Sequence, residues 1–167
     1  MRRVLFASSL LAITMLAIAS TALARGGGWQ SAGMPPSFTT QCGSTPVTVT
    51  PIAFKVFIRL LKQQADGTTE SLVTGQGKGT LQAPNGATLV VNASGPARLI
   101  QYPNGDLEIQ ETGQTFSSLP PDVAAVLGIP PLAAMHGPFD VLAKADGSVV
   151  PIRIPSVVQD LCVELLS

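Results

Sequence analysis

The chain has few of the residues on which most catalytic and metal sites depend. Its 167 residues include one histidine, two cysteines, one tryptophan and one tyrosine. The Gly-x-Ser-x-Gly and His-Glu-x-x-His patterns are missing, and two thiols with one histidine make a poor zinc site. The sequence therefore predicts no metal and no cofactor, and we expect a protein that is not an enzyme.

The remaining catalytic candidates are few. His136 has no acid or serine at a fixed spacing beside it. Asp106 and Glu108 share a face at strand spacing, and paired carboxylates can hydrolyse glycosides when their separation and burial allow it. They follow a turn signal directly, so we expect them to be solvated. A secreted hydrolase is the least favoured of the functions considered.

The chain also lacks an excess of positive charge. Without the first 24 residues it holds eight Lys/Arg and ten Asp/Glu residues, a net charge of about −2. This balance predicts no nucleic-acid partner, because such partners are bound through a basic field. We likewise expect no Lys/Arg cluster for an anionic lipid surface.

The N-terminus is typical of an export signal. Arg2 and Arg3 precede an apolar run, and Ala22-Leu23-Ala24 is a small-x-small cleavage pattern. We expect a signal peptide over 1–24 and no transmembrane segment after its cleavage, the alternative being an uncleaved anchor. The chain is then secreted or extracytoplasmic, in the cell envelope.

Two regions are expected after the signal. Residues 25–41 are rich in Gly, Ser and Pro, which predicts a segment that is flexible at its start. Trp29 either packs locally there or anchors a partner. Residues 42–167 have the length of a single domain. Cys42 and Cys162 lie near its two ends, and export favours a disulfide between them over free or metal-binding thiols.

Four Asn-Gly or Asp-Gly pairs punctuate the chain, ending at Gly67, Gly86, Gly105 and Gly147. Such pairs favour two-residue hairpin turns. The first three are spaced at 19 residues and the fourth follows after 42, about twice that interval. The repetition, which includes Pro-Asn-Gly twice, indicates an antiparallel meander with a recurring turn; a β-solenoid is the alternative.

The hairpins can be tested by pairing residues across each turn. Around Asn104-Gly105 we expect Tyr102 opposite Leu107, Ile100 opposite Ile109, and Arg98 opposite Glu111. Around Asp146-Gly147 we expect Val141 opposite Ile152, Phe139 opposite Ile154, and Asp140 opposite Arg153. Apolar residues then share one face, as a half-buried strand pair requires. The alternation in 52–63 predicts another strand, although Lys55, Arg59 and Lys62 also fall at helical spacing.

An apolar insertion at 118–138 interrupts this pattern. A short helix is expected from Asp122 to Leu127, ended by Gly128. The segment either covers an open end of the core or forms an exposed interaction surface for a protein, lipid or wall component. The candidate surface residues are Val123, Val126, Leu127, Ile129, Leu132 and Met135.

The C-terminal stretch "PSVVQDLCVELLS" predicts a short helix. Ser156 is a candidate N-cap, with Gln159 completing a capping box. Val158, Leu161, Cys162 and Leu165 form one apolar stripe on such a helix. We expect it to dock on the sheet, where the disulfide would hold it.

The strands around "QYPNGDLEI", the "GPFDVLAKADGSVVPIRI" stretch and the two cysteines behind a signal-like N-terminus together resemble small exported bacterial β-domain proteins whose function is not established. That resemblance implies no catalytic residues. The predicted fold is all-β: an antiparallel meander forming a small sandwich or flattened barrel, with a short C-terminal helix. The predicted function is a non-catalytic extracellular or cell-envelope binding module, the alternative being a carrier of an apolar small molecule inside the β-shell.

Overall fold

The computed structural model describes residues 28–167, so the predicted signal peptide at 1–24 lies outside the described residues. The strands are β1 (Gln30–Ser31), β2 (Phe38–Cys42), β3 (Thr45–Gln63), β4 (Thr69–Gln82), β5 (Thr88–Ser94), β6 (Ala97–Gln101), β7 (Leu107–Glu111), β8 (Gln114–Ser118), β9 (Leu132–His136), β10 (Phe139–Ala143), β11 (Val149–Arg153) and β12 (Val157–Asp160). The helices are α1 (Pro121–Leu127) and α2 (Leu161–Leu166). Neither helix in this part of the chain is long and apolar enough to cross a membrane.

The strands form one antiparallel sheet that curls strongly into a half-barrel, with the short helix α2 at its C-terminal end. This confirms the all-β prediction. The long strands β3 and β4 form a central hairpin. Residues 76–82 of β4 pair with β5, and residues 69–73 of the same strand pair with β6. Two arms therefore leave the hairpin, one continuing through β8, β9 and β12 and the other through β7, β10 and β11.

Glycines make the division between the two arms possible. Gly75 and Gly95 meet there, with the Gly95 N–H donating to the Gly75 carbonyl over 3.3 Å. A Cβ on Gly75 would lie 2.0 Å from the Lys55 carbonyl oxygen, and one on Gly95 would lie 2.0 Å from that of Thr112. Both glycines have positive φ, so no other residue fits without moving backbone.

The four predicted turns share one geometry. At Pro103-Asn104-Gly105 the Tyr102 N–H donates to the Asp106 carbonyl over 2.9 Å, and the Gly105 N–H donates back to the Tyr102 carbonyl over 3.0 Å. The same pair of bonds closes the other three turns. In each, the Asn or Asp side chain also accepts the N–H two residues on. The repeated motif is turn architecture, but the loops have three residues and not the predicted two.

That extra loop residue shifts the register of the β6–β7 hairpin. Leu99 lies opposite Ile109, and Gln101 lies opposite Leu107. Tyr102 therefore belongs to the turn, and Ile100 shares a face with Glu108. The predicted pairs of Tyr102 with Leu107, Ile100 with Ile109 and Arg98 with Glu111 are each wrong by one residue.

In the β10–β11 hairpin one predicted pair is correct and one is displaced. Asp140 lies opposite Arg153, as predicted, with their charged groups 3.6 Å apart. Val141 lies opposite Pro151 and not Ile152, because a bulge after Asp140 absorbs the shift that the three-residue loop introduces. Ile152 is consequently exposed.

The first core lies inside the curl between β2, the N-terminal half of β3, the C-terminal half of β4, β5 and β9. Its buried residues are Cys42, Val47, Val49, Leu81, Ala83, Val91, Leu132, Leu161 and Leu165. The predicted disulfide is present between Cys42 on β2 and Cys162 on α2, with the two Cα atoms 5.3 Å apart. A hydrogen bond of 2.7 Å between the Ser118 and Thr40 hydroxyls joins β8 to β2 across the opening.

The second core lies on the other side of β9, between this strand, α1 and the β7–β10 arm. Its buried residues are Leu127, Ile129, Ala133, Met135, Phe139 and Val141. Gly128 ends α1 in the left-handed conformation, as predicted. Residues 132–136 of the predicted insertion are themselves a sheet strand, so the interruption of the meander is shorter than expected.

The C-terminal helix has its N-cap four residues later than predicted, at Asp160 and not at Ser156. Val157–Asp160 form β12, which pairs with β9, because two valines favour a strand at this position. Asp160 caps the helix, its carboxylate accepting the N–H groups of Cys162 and Val163. The predicted Ser156 cap and its Gln159 capping box are therefore wrong, whereas Leu161 and Leu165 are buried on the docked face.

The described part of the predicted flexible segment is attached to β3. Gln30 lies opposite Ile58, and Ser31 lies opposite Phe57. Phe38–Cys42 pair with residues 45–49 of the same strand. The β-domain accordingly includes strands before residue 42.

Candidate functional site

The long strand β3 places a row of basic and apolar side chains on the outer face of the hairpin. Lys55, Phe57 and Arg59 alternate with the inward residues of the strand, among which Ile58 is 5% exposed. Lys62 lies opposite Glu70, and Arg59 lies opposite Leu72. Because Glu70 and Leu72 are two residues apart on β4, Lys62 and Arg59 share the outer face. Lys55, Arg59 and Lys62, whose spacing would also suit a helix, therefore form one row of cations on the outer face of β3.

Two bulges in β3 add exposed apolar residues to this row. The register shifts between Pro51 and Ala53, and again between Leu60 and Lys62. The extra residues are Ile52 and Leu61, which are 54% and 43% exposed. Bulges redirect side chains in this way and are frequent beside binding sites. The first bulge also explains why Ile52 leaves the predicted alternation.

Neighbouring strands complete the surface. Lys78 on β4 lies opposite Ala53, and Gln76 on the same strand lies opposite Lys55. Because Lys78 and Gln76 are two residues apart, Lys78 shares the outer face with Lys55. Trp29 precedes β1, and its ring lies 4.9 Å from the guanidinium carbon of Arg59, a cation–π contact. We call this set the basic–apolar strip: Trp29, Ile52, Lys55, Phe57, Arg59, Leu61, Lys62 and Lys78.

Among the described residues, no cation of the basic–apolar strip forms an ion pair within 4 Å, although Lys62 lies close enough to Asp66 and Glu70 to help lower the pKa of both carboxyl groups. Within residues 28–167, the two ion pairs are Arg98 with Glu70 and Arg153 with Asp140. Glu70 shares the outer face with Lys62, but both of its oxygens accept from Arg98, over 2.6 and 2.7 Å. That hydrogen bonding lowers the pKa of Glu70 and raises the pKa of Arg98. Glu70 is therefore engaged mainly by Arg98, which lies outside the strip.

A shallow depression of about 430 Å³ lies further along the outer face, lined by Tyr102, Pro103, Asn104, Asp106, Glu108 and Leu142. It contains the carboxylate pair predicted at 106 and 108. The Tyr102 hydroxyl donates to Glu108 over 2.7 Å, which raises the pKa of Tyr102. Gln110 also donates to Glu108, while Asp106 accepts from the Ala145 N–H. Both carboxylates therefore have structural hydrogen bonds.

Glu111 is a partly buried residue whose carboxyl group is largely removed from solvent. Its cross-strand neighbours Ala97 and Phe139 are apolar, and its Oε2 atom has no hydrogen-bond partner. Burial raises the pKa of Glu111, and a hydrogen bond with Thr115 partly opposes this. Because its folded-state pKa is raised, Glu111 makes its full contribution to the free energy of unfolding below its ordinary pKa of 4.5. That contribution is lost as the pH rises through the folded-state pKa.

The six residues predicted as an interaction surface divide between core and surface. Leu127, Ile129, Leu132 and Met135 are buried, and Val123 is partly buried against the second core. Val126 alone is strongly exposed, at 58%. The apolar character of this segment is thus explained largely by packing.

The histidine singled out in the sequence lies on the surface, at the end of a strand. His136 is exposed at the end of β9, opposite Gln114 and Val157. Among the described residues no hydrogen bond or ion pair joins it to an acid, and no cluster of three His, Cys, Asp or Glu residues could hold a metal ion. The basic–apolar strip is instead the surface that sequence reasoning missed.

Comparison with known proteins returned no relatives. No family model, no curated protein and no solved structure matches this chain.

Proposed function

We propose that this protein is an exported, non-catalytic binding module of the cell envelope and that the basic–apolar strip is its binding surface. The observation that carries the proposal is the exposure of Phe57 and Leu61 among four cations that form no ion pair within 4 Å in the described part of the chain. Exposed apolar side chains grouped on one face mark interaction sites more often than isolated ones do.

The proposed location has two supports. The first 24 residues have the pattern of an export signal. The disulfide between Cys42 and Cys162 indicates an oxidising compartment, since such bonds are rare where thiols are kept reduced.

No specific observation favours the carrier or hydrolase alternatives. Side chains of the first core fill the interior of the curl, where a carrier would hold its ligand. Glu108 accepts from Tyr102 and Gln110, and Asp106 accepts from Ala145, which are structural contacts within the sheet and its turns.

Sedimentation of the mature protein with isolated envelopes of the producing cell tests this function. We expect binding by the natural protein and its loss in the double variant Phe57→Ser/Leu61→Ser. A matched control, Val126→Ser/Val163→Ser, removes two exposed apolar residues from other surfaces and is expected to bind normally.

Two results would contradict the proposal. Absence of sedimentation in the natural protein would remove the envelope role. Loss of binding in the control variant alone would indicate a binding surface near α1 or α2. Circular dichroism of all variants is the control for correct folding.

A further inference from the structure

From the composition of the basic–apolar strip we infer that its ligand is an anionic lipid surface, which the strip contacts peripherally. This inference rests on the proposed function and names the partner of the same site. The argument uses the charge, the apolar content and the layout of the strip.

The expectation that the chain has no Lys/Arg cluster for an anionic lipid surface is wrong, because pairing of β3 with β4 places distant cations on one face. Lys55, Arg59, Lys62 and Lys78 are four of the seven Lys/Arg residues in the described part of the chain. They lie on two adjacent strands, none has an acidic partner within 4 Å, and the mature chain as a whole has no basic excess. This grouping is complementary to a negatively charged surface, toward which each such cation contributes on the order of 1 kcal/mol.

The apolar residues distinguish lipid from other polyanions. A soluble anionic polymer needs only charge, whereas a membrane interface also accommodates apolar and aromatic side chains below its headgroups. Trp29, Ile52, Phe57 and Leu61 are 42–54% exposed beside the cations. Tryptophan is a residue enriched at such interfaces because its ring is amphipathic.

The layout of the strip also suits a flat partner. The outward residues run along one strand from Ile52 to Lys62, at roughly 3.3 Å per residue. β1 and β2 pair with the outer edge of β3 at residues 57–58 and 45–49, and the side chains of the strip lie on the sheet face beside this edge. A face of this kind presents several side chains to a plane at once.

Vesicle titration followed by tryptophan fluorescence tests the inference, because Trp29 is the only tryptophan in the chain. We expect an emission blue-shift with vesicles of phosphatidylglycerol and phosphatidylcholine in equal parts, and none with phosphatidylcholine alone. Raising NaCl from about 0.1 M to about 1 M should reduce binding, since the Debye length falls from about 10 Å to about 3 Å.

Charge variants locate the binding surface. Lys55→Gln/Lys62→Gln should weaken partitioning about 25-fold, or roughly fivefold for each cation removed. Lys144→Gln/Arg153→Gln removes the same charge from exposed positions away from the strip and should leave partitioning within about twofold. Equal effects of the two variants would overturn the inference, as would equal binding to both vesicle types.

The failure of this inference is separable from that of the proposed function. Sedimentation with envelopes but not with anionic vesicles would reject lipid and leave an envelope protein or wall polymer as the partner. Retention by dextran sulfate without vesicle partitioning would likewise reject lipid. Binding to neither envelopes nor vesicles would reject both proposals.

Discussion

Removing the disulfide between Cys42 and Cys162 should greatly lower the free energy of unfolding of this domain. The bond joins residues 120 apart, so nearly the whole described chain lies within the loop that it closes. Restricting an unfolded chain with a loop of this length corresponds to about 5 kcal/mol at 25 °C. Domains of this size have total stabilities of about 5–15 kcal/mol. The variant Cys42→Ala/Cys162→Ala should therefore be marginally folded.

Urea unfolding followed by far-ultraviolet circular dichroism measures this effect. We expect a loss of about 5 kcal/mol and a steeper denaturant dependence, because the unlinked unfolded chain exposes more surface. The natural protein unfolded under reducing conditions is the control and should match the variant. A loss below about 1 kcal/mol with an unchanged slope would show that the reasoning from loop length is wrong.

Two further predictions concern Glu111 at the end of β7 and Gly95 between β5 and β6. Glu111→Gln should become increasingly stable relative to the natural protein as the pH rises from 4.5 through the raised folded-state pKa of Glu111, because it abolishes the ionisation that burial opposes; urea unfolding at several pH values checks this, and a stability difference that does not change with pH would contradict it. Gly95→Ala should cost on the order of 3 kcal/mol, since its Cβ would meet the Thr112 carbonyl oxygen. Gly43→Ala has positive φ but open space, so thermal unfolding should show a cost of about 1 kcal/mol, and equal losses at the two glycines would contradict the steric argument.

Local sequence signals predicted the elements of this fold better than their registers. The four Asn-Gly and Asp-Gly pairs lie in the turns as expected. The sequence did not show the length of each loop, because Asn-Gly or Asp-Gly fits both a two-residue loop and the last two positions of a three-residue loop. One residue of difference placed Ile100 on the wrong face.

Competition between neighbouring signals explains the error at the C-terminus. Ser156 and Gln159 satisfied a capping pattern, whereas the structure has Asp160 as the cap. The valines at 157 and 158 pair with β9, and this tertiary contact decided between the two caps. A single sequence carries no information about which strand will be available for pairing.

The candidate surface was missed for a related reason. Lys55, Arg59 and Lys62 were visible as a spacing, but their common face depends on a bulge after Leu60. The contribution of Lys78 depends on the hairpin register. Conversely, the apolar residues at 118–138 suggested a surface because sequence does not show that α1 and β9 lie over a second core.

Strand β9 links the two halves of the molecule through alternation of its side chains. Leu132 and Ala134 enter the first core, while Ala133 and Met135 enter the second. Because β9 contributes to both cores, its detachment would expose both of them to solvent at once. We therefore expect neither half to unfold locally while the other stays folded. The molecule should accordingly unfold as one cooperative unit despite the division of its sheet into two arms.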